Sequence, residues 1–438
     1  MKVKAIWLYI IITLVFSLIL ISSQGVIANS SEENDIEFKH PQVVQIDTPF
    51  SLEVTGLSFS GEVDLVVQQE DADGNIWSHR ETYSVEDGTL VVDEEELMWQ
   101  IQMSEPEGDN IELENEQLGN MIDDDLLQPS WIPPIKKLGE EIELKIYLER
   151  DEKVVGETTV IRTYGHPDIK RKELEDEELV AVLFEPPGSK PAPGVVVLHG
   201  SGGNMPEPVA YMLASNGFVV LALQYFGDAE GISSRLEEVP VEYVEKAGKY
   251  LLEHKRVKGD QIGLYGGSRG GELALLAASH FDIFGSVVAM VPSGVAWETN
   301  SGEASWTHDG EAVESVPVVD TPGSPPYEYE PYFTKSFDKA EEEVVSDAII
   351  KVEKISGPVL IVSGGDDAMW NTQKLLEPAE KRFEEYDFPY EYRHLVYEEA
   401  GHAITYPYQP VANRKVNQEY MYLMGGNKEG YAKADADY

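Results

Sequence analysis

A serine hydroxyl is nearly inert at neutral pH unless an imidazole takes its proton, and that imidazole needs a carboxylate to fix its tautomer. The chain carries candidates for all three roles. Ser268 lies in Gly266-Gly267-Ser268-Arg269-Gly270, a G-x-S-x-G whose small residues let a strand turn sharply into a helix. Gly364-Gly365-Asp366-Asp367 offers a carboxylate, and Glu399-Ala400-Gly401-His402 offers an imidazole. Serine, then acid, then histidine is an order in which such triads recur. Asp366 and Asp367 are adjacent, so only one can reach the histidine. Asp367, three residues before Trp370, is the favoured acid, and Asp366 is left to brace the loop or cap the next helix. His199-Gly200-Ser201-Gly202-Gly203 offers backbone N–H groups at Ser201 and Gly202 that join the N–H of Arg269 in binding an oxyanion. His199 is a weaker rival for the base because it belongs to that loop.

These residues need a scaffold that gathers them at one edge. An apolar strand from Ile262 runs into the serine turn, and an Ala/Leu-rich helix follows through Ser279. Further strands are predicted over Leu179–Phe184, Gly194–Leu198, Phe218–Leu223, Phe284–Met290, Pro358–Val362 and His394–Val396. Helices are predicted over Glu207–Ser215, Val241–His254 and Thr372–Tyr386. This alternation predicts a mostly parallel sheet flanked by helices over 177–438, with reactive groups at the carboxyl ends of its strands. Residues 41–165 instead show period-two alternation, as in Phe50, Leu52 and Val54 or Ile142, Leu144 and Ile146, broken by turn signals. That predicts an antiparallel, immunoglobulin-like β-sandwich acting as an accessory domain. His79 sits in a strand-like stretch there and reads as structural. The linker falls at Gly165–Asp176. Pro129–Pro134 reads as a loop packed by Trp131. Ser301–Phe337, polar with interspersed aromatics, is either a specificity-setting lid or a disordered insertion. The stretch after Gly425 leaves room for only a short final helix, or for a truncated chain.

Asp and Glu total 80 against 33 Lys and Arg, a formal charge of −47. Such a surface repels nucleic acid and anionic membranes and suits saline or alkaline surroundings. With no Cys, disulfides, thiolate metal sites and a cysteine nucleophile are excluded. Neither a metal nor an organic cofactor is implied. Lys2 and Lys4 precede an apolar run from Ala5 to Ile21, with small residues to Ala28, so 1–28 reads as a signal peptide or an uncleaved anchor. A secreted or cell-surface location is expected, with any membrane contact confined to that segment.

Together, Gly217–Tyr225, Gly263–Glu272, Gly357–Asp367 and Ala400–His402 resemble the acyl-CoA thioester hydrolase / bile acid-CoA:amino acid N-acyltransferase family, of the α/β-hydrolase superfamily. The resemblance runs from about Val43 onward. It implies Ser268 as nucleophile, Asp367 as orienting acid, His402 as base, and a small-molecule acyl ester or thioester as substrate. Family members often carry lysine where Arg269 stands here. The amino-acid-conjugating branch uses a cysteine nucleophile, so serine resembles the hydrolytic branch. A secreted carboxylesterase or peptidase, or a silent binding protein, remains the alternative.

Overall fold

Period-two burial organises the first half of the chain. The computed structural model describes residues 36–71, 74–107, 139, 141–174, 179–325, 327–412, 414, 416–417 and 422–437. The apolar leader and the Pro129–Pro134 loop lie outside these. A three-stranded sheet pairs β1 (Glu37–Lys39), β3 (Leu52–Thr55) and β6 (Leu90–Val92). A six-stranded sheet runs β2 (Val43–Gln45), β9 (Lys153–Thr163), β8 (Glu141–Arg150), β4 (Gly61–Glu70), β5 (Ile76–Val85) and β7 (Glu105–Pro106). Leu52, Val54 and Val92 of the first sheet share one core with Leu65, Val67, Leu144 and Ile146 of the second. Helix α1 (Glu94–Gln102), which the alternation did not announce, adds Leu97 and Ile101 to that core. Its start is capped by Asp93, which accepts from Glu96 N at 2.9 Å.

The second half is an α/β fold. Its eight-stranded sheet has the spatial order β10 (Lys170–Glu173), β11 (Ala181–Glu185), β13 (Val219–Leu223), β12 (Gly194–Leu198), β15 (Ile262–Gly267), β16 (Phe284–Met290), β19 (Val359–Gly364) and β20 (Tyr392–Tyr397). The pairs β10–β11 and β11–β13 are antiparallel. From β13 to β20 every pair is parallel. The sheet thus begins inside the stretch read as linker. Lys170–Glu173 is an exposed edge strand and carries no apolar signal.

Helices α2 (Glu207–Ser215), α3 (Glu242–Glu253), α4 (Arg269–His280), α5 (Glu330–Lys339), α6 (Glu342–Ala348), α7 (Thr372–Glu385) and α8 (Lys428–Asp437) complete this half. On α3, Val244, Ala247, Gly248 and Leu251 are buried, spaced to cover one face. Helix α4 is buried along its length from Arg269 to Ser279, as befits a helix packed under the sheet's centre. Two short strands, β17 (Trp306–His308) and β18 (Glu311–Ala312), pair beside β14 (Val239–Pro240). The stretch from Ser301 to Phe337 is therefore folded onto the domain, with Trp306 and Val316 fully buried.

Backbone contact at the serine turn admits no side chain at two of its glycines. A methyl on Gly266 would collide with the Gly270 carbonyl, and one on Gly270 with the His199 carbonyl. Gly266→Ala should therefore lower stability by about 2 kcal/mol or more, measured by urea unfolding.

Candidate active site

The turn after β15 is tight because three backbones meet there. Ser268 has φ 55° and ψ −123°, a conformation that a residue with a Cβ keeps only when its surroundings hold it. Its N–H donates to Met290 O at 2.8 Å, and α4 begins at Arg269. The Arg269 N–H, at the first helical position, has no intrahelical acceptor and carries the positive end of the helix dipole.

His402 approaches from the loop after β20. Its Nε2 lies 2.9 Å from Ser268 Oγ and its Nδ1 2.7 Å from Asp367 Oδ2. A carboxylate accepts only, so Nδ1 carries the ring hydrogen and Nε2 accepts from the hydroxyl. The other Asp367 oxygen accepts from Met369 N at 2.8 Å and Trp370 N at 3.1 Å, which aims the carboxylate. Asp366 is turned away: its Oδ2 accepts from Gly426 N at 3.0 Å and ties the acid loop to the segment before α8. Thus Ser268, Asp367 and His402 meet in one hydrogen-bonded line, and Asp366 braces.

The glycine loop after β12 passes the same hydroxyl. A methyl on Gly200 would stand 3.9 Å from Ser268 Oγ, and Ser201 and Gly202 follow on the exposed lip. His199 does not compete for the serine. Its Nδ1–H donates to Gly200 O at 2.7 Å, its Nε2 accepts from Tyr225 N at 3.3 Å, and its ring stacks on Tyr225 at 4.0 Å. Burial pushes its pKa down to about 4, so it holds the loop as a neutral ring.

Sequence reasoning missed the support beneath α4. The Arg269 side chain turns inward and donates to Glu272 Oε2 at 2.7 Å, to Trp297 O at 3.0 Å and to Ser305 Oγ. Glu272, fully buried, also accepts from Trp306 Nε1 at 2.6 Å. Burial raises its carboxyl above the ordinary range, opposed by the Arg269 charge. The aromatics of 301–337 were visible, but nothing in the pattern said which of them was core. Phe333, half-buried, meets Trp297 at 4.8 Å and Trp370 at 5.5 Å, and Trp370 stands edge-on to His402 at 5.9 Å. An aromatic wall therefore adjoins the histidine.

A second Ser–His–Glu grouping lies close by. His394 reaches Ser363 Oγ at 2.7 Å and Glu380 Oε1 at 2.8 Å. Ser363 is fully buried inside β19, with no helix terminus before it, so it lacks both access and an oxyanion site. Among the described residues, Glu242, His308 and Asp309 bring ligand-type atoms within 4.8 Å of one another. There Glu242 already accepts from Asp309 N at 2.7 Å and Asp309 is exposed, which makes the group a surface ion-pair cluster.

A sheet in this order, with a serine elbow after its fifth strand and acid and histidine on later loops, defines an α/β hydrolase. Residues 239–438 match the family model described as "BAAT / Acyl-CoA thioester hydrolase C terminal". The mouse peroxisomal succinyl-coenzyme A thioesterase is 29% identical over 290 residues, covering 63% of this chain and 64% of that protein. Human acyl-coenzyme A thioesterase 1 is 31% identical over 296 residues, with the same coverages of 63% and 64%. The match therefore spans just under two thirds of each of these relatives. The mouse bile acid-CoA:amino acid N-acyltransferase is 28% identical over 387 residues, covering 85% of this chain and 87% of that one. Among solved structures, an acylaminoacyl peptidase in complex with a chloromethyl ketone aligns at 13% identity and TM-score 0.39, over 84% of this chain and 75% of that one. A Thermoanaerobacterium acetyl xylan esterase aligns at 15% and TM-score 0.36, over 64% and 82%.

The depressed pKa of His199 has a sign. The unfolded chain binds its proton near pH 6.5, whereas the folded chain resists until about pH 4. Stability is intact above pH 6.5 and falls as the pH drops through that window, by up to about 3 kcal/mol from this ring. Urea unfolding at stepwise pH should show a shallower decline for His199→Asn than for the wild type between those limits.

Proposed function

We propose that this protein is a serine hydrolase of acyl thioesters, resembling acyl-CoA thioesterases, and that it works through an acyl-serine intermediate. The observation that carries the reading is the line Asp367–His402–Ser268 at a strained elbow, with hydrogen bonds of 2.7 and 2.9 Å. His402 Nε2 takes the Ser268 proton as Oγ attacks the acyl carbonyl. The N–H groups of Arg269 and of the Ser201–Gly202 loop receive the oxyanion. The imidazolium, steadied by Asp367, gives its proton to the leaving thiolate as the C–S bond breaks. Water then enters and attacks the acyl carbon as it loses a proton to His402, and the imidazolium returns that proton to Oγ as the acid leaves Ser268. Phe333, the half-buried ring of that aromatic wall, offers the acyl group an apolar surface. The relatives named as thioesterases support the reaction class.

The paired sheets of the first half form, in this reading, an immunoglobulin-like accessory domain. Residues 1–28 act as an export signal or anchor, placing the protein outside the cell or at its surface. That location favours a second reading, a carboxylesterase on the same residues, because the −47 charge opposes a polyanionic CoA thioester. Among the described residues, three cations of this half are engaged: Lys428 pairs with Glu105 at 2.8 Å, Lys374 with Asp338 at 2.6 Å, and Arg414 is buried against Asp435.

Ser268→Ala should lower turnover by roughly 10⁴-fold, leaving what the oxyanion site and binding provide. A fluorophosphonate probe should label the wild type and Ser363→Ala but not Ser268→Ala; full activity in the last variant would end this reading. Salt separates the two substrate readings. Raising it from about 50 mM to about 500 mM should lower KM for an acyl-CoA severalfold by screening repulsion. KM for the same acyl group on N-acetylcysteamine should stay level. A rise in KM for the CoA substrate would instead reveal a cationic CoA site.

A further inference from the structure

The amino-terminal domain reaches the loop of His402 through buried polar contacts. Arg162, on β9, is 1% exposed, and its guanidinium donates to Gln69 Oε1 at 3.3 Å, Ile46 O at 3.1 Å and Tyr408 O at 2.8 Å. The first two acceptors lie in its own domain. The third lies on the segment that leads away from His402. Tyr408 has φ 56°, a left-handed backbone that a tyrosine keeps only when something grips it. Arg162 and the Gln409 amide, which donates to the same carbonyl at 2.9 Å, supply that grip.

A second contact comes from the end of α1. The buried Gln102 donates from Nε2 to Ala432 O on α8 at 2.9 Å, and its own carbonyl accepts from Val411 N at 3.0 Å. Met103 shares a core with Met290, Ala403, Ile404, Val411 and Tyr431. Helix α8 in turn holds the histidine loop: Ala403 N donates to Tyr431 Oη at 3.3 Å and Thr405 N to Asp435 Oδ1 at 2.8 Å. His402 N itself donates to Met424 O at 2.7 Å, and Tyr431 Oη donates to the next carbonyl, Gly425 O, at 3.0 Å. The 402–411 segment is therefore held between α8 on one side and the amino-terminal domain on the other, and that domain grips α8 as well. Proton transfer over 2.9 Å tolerates little displacement of the ring.

We propose that the amino-terminal domain is a working part of the active site, with Arg162 and Gln102 as positioning residues that set the reach of His402 to Ser268. This rests on the reading of Ser268 and His402 as the reacting pair. The same domain also touches the catalytic half through a contact that does not include that loop, where Asn216 Nδ2, on the end of α2, donates to Asp47 at 2.7 Å. That contact provides a control for docking in general.

The test is steady-state kinetics of the full chain on a neutral aryl ester, with melting temperature and the rate of fluorophosphonate labelling measured on the same preparations. Arg162→Met and Gln102→Met should each lower kcat by about tenfold or more while KM stays within about twofold, and labelling should slow in proportion. Arg162→Lys should recover part of the loss, and Asn216→Ala, which breaks the other contact from the α2 side, should keep wild-type kcat. If Arg162→Met does not fold, Gln102→Met decides. Wild-type kcat in folded Gln102→Met, with Ser268→Ala inactive, overturns the positioning role alone, as does an equal loss in Asn216→Ala. Retained turnover in Ser268→Ala overturns both readings.

Discussion

Everything in the catalytic half depends on how closely the chain can pack around Ser268. The serine stands at φ 55° because β15 must end, turn and enter α4 within a few residues, with the loop after β12 lying against the turn. Gly266 and Gly270 permit that approach, and nothing larger would. The conformation is strained, so it must be held, and the network beneath α4 does the holding. The Arg269–Glu272 pair is buried and so stabilises little by charge alone. Its value is directional, because it fixes the first turn of α4 to Trp297, Ser305 and Trp306. The residue after Ser268 thus has two separate parts: its N–H opens the helix at the elbow while its side chain anchors the helix from below.

The sheet then explains why residues so distant in sequence meet. Parallel strands from β12 to β20 all end at one edge, so the loops after β12, β15, β19 and β20 converge there. Each loop needs its own brace, since a loop alone does not place an atom to a few tenths of an ångström. His199 braces the first, Asp366 ties the third to Gly426, and α8 with the amino-terminal domain holds the fourth. The comparison between Ser268 and Ser363 makes the same point from the other side. Both serines have an imidazole and a carboxylate in line, but only Ser268 sits at an elbow before a helix.

Much of this was legible in the sequence, for physical reasons. Ser268 was legible because a strand, a small-residue turn and a helix surround it, and His402 because it follows a late strand in the right order. Asp367 was separable from Asp366 by its spacing to Trp370, and the structure assigns the two carboxylates different partners. The period-two strands were legible because alternate residues face a core. What escaped has no periodic signature. The edge strand β10 buries nothing, and α1 is a short helix among strands. Arg162 reads as one more cation until its burial is known. Ser301–Phe337 looked like an insertion because its composition is polar, yet the buried Trp306 closes on Glu272 and pins it down. Long-range contacts of that kind depend on the packed shape, which no local window contains.

Helix α8 has a consequence for the life of the chain before it is finished. The serine elbow lies between β15 and α4, early in this half, but the loop of His402 is held by residues 428–437. On the ribosome, the nascent chain therefore lacks the ties from Tyr431 and Asp435 that hold this loop near Ser268 until those residues have cleared the exit tunnel.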